Sequence, residues 1–211
     1  EKHAICGFAV NAGVVPGADL KGMWDAGAMA FGEVFTAPSS YGEGVDLGII
    51  KRSLKHIHAL GGLATIHAEE VLDLVPDTLA EHNRARPGAG EAQAFQAIST
   101  LAPEEMRLHF CHASTAASVK TARGTVEVTP HHLFLSYEDF EDDDTRGRVN
   151  PPLRDKKTQH ALWHCWDQID VIASDHAPHT LSEKALPLKV APSGIPGVET
   201  MLPLLMAEVR K

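Results

Sequence analysis

Residues 171–180 read VIASDHAPHT. An apolar run ends on the carboxylate of Asp175, and imidazoles follow at His176 and His179. An ionised carboxylate after such a run is costly to bury unless a cation or hydrogen-bond donors stand beside it. The pattern recurs: Glu33 follows AMAFG, His67 follows LATI, and His112 follows HFC. Two carboxylates and two imidazoles brought together would pair poorly unless a divalent metal joined them. Nitrogen and oxygen donors of this kind suit Zn²⁺, with other transition metals open. Singly, each residue has a plainer reading. His67 and His112 could be hydrogen-bonded strand-end histidines, as the neighbouring His109 warns. Their joint placement argues for a site.

For these residues to meet, the elements carrying them must converge. Strand-like runs fall at 3–10, 28–35, 63–68, 107–113, 125–130 and 170–177. Helix-like runs lie between and after them: GADLKGMWDAG, LGIIKRSLKHIHAL, AGEAQAFQAISTL, TAASVKTA and TMLPLLMAEVRK. Alternation of this kind implies parallel strands with right-handed crossovers. Glu33, His67, His112 and Asp175 each sit late in a strand-like run, 34, 45 and 63 residues apart. Those steps suit βα units of a (β/α)8 barrel, whose C-terminal strand ends share one mouth. His56, His58, His82, His160 and His164 fall in or beside helix-like stretches and read as surface or packing residues. His131 and His132, in TPHHLFL, read as supporting or structural groups.

Composition narrows the partners. The 211 residues are 44% hydrophobic with a net charge of −9, enough for one sizeable core and too acidic for phosphate-backbone binding. No apolar run approaches the ~18–20 residues of a membrane span. Cys6, Cys111 and Cys165 are too few and odd in number for a disulfide framework, which points to a reducing, cytoplasmic setting.

TIHAEE, HFCHAST, VEVTPHHLFL, VNPPLR, ASDHAPHT and SGIPGVETMLPLL, in this order, resemble the dihydroorotases of the cyclic amidohydrolase superfamily. The likeness is greatest to the domain type of the animal multifunctional pyrimidine enzyme. It implies a TIM-type barrel and reversible interconversion of N-carbamoyl-L-aspartate and L-dihydroorotate in de novo pyrimidine synthesis. It implies zinc, two ions in number, with His67 and His112 on one and Asp175 on the other as catalytic acid/base. Asn150, His179, Ser193 and Gly194 would bind substrate. A third zinc near Cys111 and Glu127 would need an irregular strand end, since regular alternation turns Cys111 away from His112; the simpler reading is a buried thiol. For partners, the resemblance offers a homodimer or association with aspartate transcarbamoylase.

The chain departs from the family twice. Glu33, in FGEVF, stands where the family has a carboxylated lysine or an aspartate. It is read as the bridge between the ions, or else as a carboxylate behind a single ion. The family's HxHxR strand is missing; HIHAL at 56–60 has the spacing but lies in a helix-like segment. The six strands therefore match the third to eighth of the family barrel. The chain is expected to be part of a longer enzyme, without the N-terminal HxH strand and the C-terminal β-subdomain. Rival readings are another cyclic amidase (dihydropyrimidinase, hydantoinase or allantoinase) and a non-catalytic homologue serving as a structural partner.

Overall fold

The computed structural model describes residues 6–38 and 44–209. Six strands run parallel in one sheet, side by side in chain order: β1 (Asn11–Ala12), β2 (Ala30–Phe35), β3 (Leu63–His67), β4 (Arg107–Phe110), β5 (Thr125–Val128) and β6 (Val171–Ile172). Helix α1 (Leu20–Asp25) joins β1 to β2, and α2 (Leu47–Ala59) joins β2 to β3. The later connections hold α3 (Leu79–Ala85) and α4 (Gly88–Leu101), then α5 (Ala116–Thr121), then α6 (Pro130–Phe134) and α7 (Lys156–Trp163). After β6 come α8 (Leu181–Lys184) and α9 (Val198–Glu208). Parallel neighbours in sequential order are the stave arrangement of a (β/α) barrel, and every C-terminal strand end emerges on one side.

The elements follow from their residues. In α2 the Asp46 side chain accepts the Gly48 and Ile49 N–H groups, capping the start. Ile50, Leu54 and Ile57 then recur at helical spacing and are fully buried. The strands read as short apolar runs because both faces are covered: Phe31, Ile66 and Phe110 are buried completely, and Phe95 of α4 stacks on Phe110 at 4.5 Å. Among the described residues β1 pairs only with β2 and β6 only with β5.

The first strand lies later than the sequence suggests. Of HAICGFAV (3–10), the described residues 6–10 are not strand and pairing starts at Asn11; residues 3–5 fall outside the described residues. The 170–177 run is strand only at Val171–Ile172, with a separate parallel bridge from His176 to Ile195, because the chain turns at Ala173–Asp175 to present its polar groups. The 107–113 and 125–130 runs end as strands at Phe110 and Val128. Pro- and Gly-containing composition suggests loops at 84–90 and 180–197, yet the first holds the end of α3 and the start of α4, and the second all of α8. Residues 39–43 of the 36–46 loop, and 210–211 beyond α9, lie outside the described residues.

Candidate metal centre and active site

Backbone irregularities aim the site. In β2 the register with β3 shifts between Phe31 and Val34, so Gly32 and Glu33 bulge between Phe31↔Ala64 and Val34↔Ile66. Gly32 has φ +140°, and a Cβ there would meet Thr65 Oγ1 and carbonyl oxygen at 2.2 and 2.3 Å. Only glycine permits that approach. Beyond β4 and β6, His112 (φ 38°) and Asp175 (φ 43°) are the non-glycine residues with left-handed backbone among the described residues. Such conformations cost about 1–2 kcal/mol each and cluster where function demands them. Here they turn an imidazole and a carboxylate towards one cavity.

That cavity, about 390 Å³, is walled by Glu33, His67, His112, Asn150, Asp175, Ser193 and Gly194, all anticipated from sequence. It also takes in Asn11, Gly32, Phe35, Val149 and Ala177, which were not. Asn11 follows the apolar ICGFAV just as Glu33 follows AMAFG, so the signal was present; the misplaced strand hid it. His179 stands one layer back, its Nε2 donating to the Ser193 carbonyl at 3.2 Å. The backbone of Gly194 (φ +152°) fits against it, for a Cβ there would lie 2.6 Å from the Ala177 carbonyl oxygen and 3.0 Å from His179 Nε2.

Three donor atoms converge. His67 Nδ1 lies 3.0 Å from His112 Nε2 and 3.6 Å from Glu33 Oε2, and His112 Nε2 lies 3.4 Å from that same oxygen. The donors of a tetrahedral zinc at about 2.0–2.1 Å stand roughly 3.4 Å apart, so the trio already has the edges of such a site. The buried His112 ring is pushed up to about 10: burial opposes its charge, but the Glu33 hydrogen bond and charge outweigh burial, helped by Asp175 and Glu127. Burial raises the Glu33 carboxyl too, yet its bonds to His112 and His67 hold it below the usual carboxylate range. The residues therefore fit a divalent cation. Asp175 lines the cavity but stands outside the close trio. Burial pushes its carboxyl up against the pull of His112, which suits a group that exchanges protons.

Supporting residues surround this centre. His67 Nε2 donates to Glu69 Oε2 at 2.8 Å, and Arg86 Nη1 reaches the same oxygen at 2.5 Å. His131 is buried with both ring nitrogens unpartnered, its Nε2 4.0 Å from Asp175 Oδ2. Its neighbour His132 accepts from Thr129 Oγ1 at 2.8 Å and donates to the Pro151 carbonyl at 3.0 Å, a packing role that fixes the segment after Asn150. His109, Cys111 and Glu127 form a second close group. His109 and Cys111, two residues apart, face the same side by ordinary strand alternation, so this group forms without His112. There His109 Nε2 donates to Glu127 Oε2 at 3.0 Å, and burial holds the Cys111 thiol protonated.

Parallel staves in sequential order, with donors at their C-terminal ends, define a parallel (β/α)-barrel arrangement with its site at the C-terminal mouth. Solved structures agree. Dihydropyrimidinase from Brevibacillus agri superposes with a TM-score of 0.83 at 24% identity, covering 98% of this chain and 52% of the other. Dihydroorotase from Saccharomyces cerevisiae in complex with 5-fluoroorotic acid gives 0.72 at 16% identity, covering 90% and 57%. No protein-family model matches the chain.

Within that fold the chain is similar to curated dihydroorotases. It is 42% identical to the dihydroorotase of Methanosarcina acetivorans, with 100% of this chain aligned to 50% of that protein. It is 36% identical to that of Halobacterium salinarum, with 99% aligned to 52%. The chain thus spans about half the length of the curated relatives it matches.

Proposed function

We propose that the protein containing this chain is a dihydroorotase, opening L-dihydroorotate reversibly to N-carbamoyl-L-aspartate and running as ring closure in pyrimidine (UMP) synthesis. The observation that carries the reading is the tetrahedral-edge trio of Glu33, His67 and His112 facing Asp175 and Asn150 across one cavity. Zinc is the ion this donor set favours. A divalent ion held there supplies an activated water and polarises the ring carbonyl. Asp175 takes the proton of the attacking water and returns it to the departing amide nitrogen as the ring C–N bond breaks, one group serving as base and then acid. Asn150, with backbone at Ser193 and Gly194, orients the ring so that the reacting atoms meet. His179 either reaches the substrate carboxylate or secures the Ser193 wall from behind.

Glu33 would bridge two ions in place of a carboxylated lysine, sharing one with His67 and His112 and the other with Asp175. The HxH strand that the family barrel carries would complete the second, and it is proposed to lie outside these residues with the C-terminal β-subdomain. The group of His109, Cys111 and Glu127 is the place for a third ion. Cys111→Ser then lowers the metal content from three per chain to two; a wild-type ratio of two removes that site. Kinship with the animal multifunctional type, self-association and docking to aspartate transcarbamoylase rest on sequence resemblance alone.

A dihydropyrimidinase or hydantoinase reading draws on the higher structural score, 0.83 against 0.72, which concerns fold only. Turnover by the full-length, metal-loaded protein separates the readings. Dihydroorotate should exceed dihydrouracil, hydantoin and allantoin at least 100-fold in kcat/KM. Preference for any of those three overturns the substrate assignment. A metal-free protein active on none of them is a non-catalytic homologue.

A further inference from the structure

We infer that Glu69 and Arg86 are positioning residues that decide which nitrogen His67 turns to the ion. The inference rests on the proposed metal centre and goes beyond it. His67 is buried, and each of its ring nitrogens faces a different group. Nε2 meets Glu69 Oε2 at 2.8 Å, while Nδ1 faces His112 and Glu33. An ionised carboxylate only accepts, so Nε2 carries the ring proton and Nδ1 is left with its lone pair. A histidine that binds a metal through one nitrogen is oriented by the partner of the other.

Glu69 is itself fixed from two sides. Its N–H donates to Thr36 Oγ1 at 3.0 Å, and the Thr36 hydroxyl donates back to the Glu69 carbonyl at 2.9 Å. Arg86, at the end of α3, donates through Nη1 to Glu69 Oε2 at 2.5 Å and through Nη2 to the Pro38 carbonyl at 2.6 Å. The buried Oε1 of Glu69 has no hydrogen-bond partner. A carboxylate placed only to neutralise Arg86 would accept the guanidinium through both oxygens. Here His67 and Arg86 share one oxygen, so the carboxylate is set for the imidazole. The Arg86 charge offsets the burial of Glu69. The β2 end, the β3 end and the α3 end are thereby joined behind the metal-facing nitrogen.

The test uses the full-length protein with histidine ring nitrogens labelled. Nitrogen NMR of the metal-free protein should show His67 protonated at Nε2, and Glu69→Ala should lose that preference. Zinc affinity, measured against a competing chelator, should fall about 10–100-fold in Glu69→Ala. Because that variant strands the Arg86 charge, the Glu69→Leu/Arg86→Met pair removes both charges and should lose the same affinity while keeping native circular dichroism. A natively folded double variant that binds zinc within twofold of wild type overturns the positioning role, as does a wild-type His67 protonated at Nδ1. Glu33→Gln separates the two levels: if it and wild type bind zinc equally poorly, the metal centre fails rather than the positioning.

Discussion

At the scale of single residues, the interior holds charges that survive only in company. Glu91 of α4 is buried and accepts from Arg154 Nη2 at 2.8 Å, from the Ser114 N–H at 2.8 Å and from the Ser114 hydroxyl. Arg154 also donates to Asn83 Oδ1 at 2.9 Å and to the Arg86 carbonyl at 2.6 Å. Removing one partner strands the other, so Glu91→Ala should cost about 3–5 kcal/mol in denaturant unfolding. His82 gives a pH prediction. Its Nε2 donates to the Val149 carbonyl at 3.0 Å, and burial pulls its pKa from 6.5 to about 4. The folded value lies below the unfolded one, so the unfolded chain takes up the proton first as pH falls. The contribution is complete above about pH 6.5 and disappears by about pH 4, at most ~3 kcal/mol. His82→Leu should flatten unfolding free energy against pH within that window. Sequence marked the donors at this scale because a polar group ending an apolar run is visible along the chain. Arg86 and Glu91 were missed, since the Arg86–Glu69 and Glu91–Arg154 partners stand 17 and 63 residues apart and no local pattern announces a buried pair; Glu69 was missed although it lies only two residues from His67.

At the scale of elements, chemistry sits where strands stop being regular. Alternation would have turned Glu33 along with the pleat; the Gly32 bulge redirects it. Gly32→Ala would press a Cβ onto Thr65 and force a left-handed φ on a side chain. It should destabilise the protein by about 2–4 kcal/mol and lower metal affinity with it, read by thermal melting and chelator competition. A Cβ at Gly194 would instead press on the Ala177–His179 turn. Gly194→Ala should therefore raise KM for substrate more than it lowers metal content. The strand–helix alternation was legible because covered parallel strands are short apolar runs between amphipathic helices. Boundaries were less so. HAICGFAV has strand composition, but pairing begins only at Asn11, and the DVIASDHA run breaks after Ile172 because its polar end must turn into the cavity. Composition records what an element prefers; its ends are set by neighbours.

For the whole molecule, the donors are far apart in sequence and close in space, so metal binding and folding must be linked. Zinc held by three strand ends favours the folded state by RT ln(1 + [L]/Kd), about 2.7 kcal/mol at a hundredfold excess over Kd. Chelation should lower the melting temperature of the full-length protein by several degrees, and zinc should restore it. Glu33→Gln should abolish that response, and it should also lower the metal-free melting temperature, because it removes the carboxylate that faces the buried, protonated His112 ring. The most direct measurement is the anomalous diffraction of crystals of the metal-loaded protein, collected on both sides of the zinc edge. The account predicts a peak about 2.0–2.2 Å from Glu33 Oε2, His67 Nδ1 and His112 Nε2. Zinc-saturated crystals with no peak among those atoms, or with the metal only elsewhere on the chain, would contradict it.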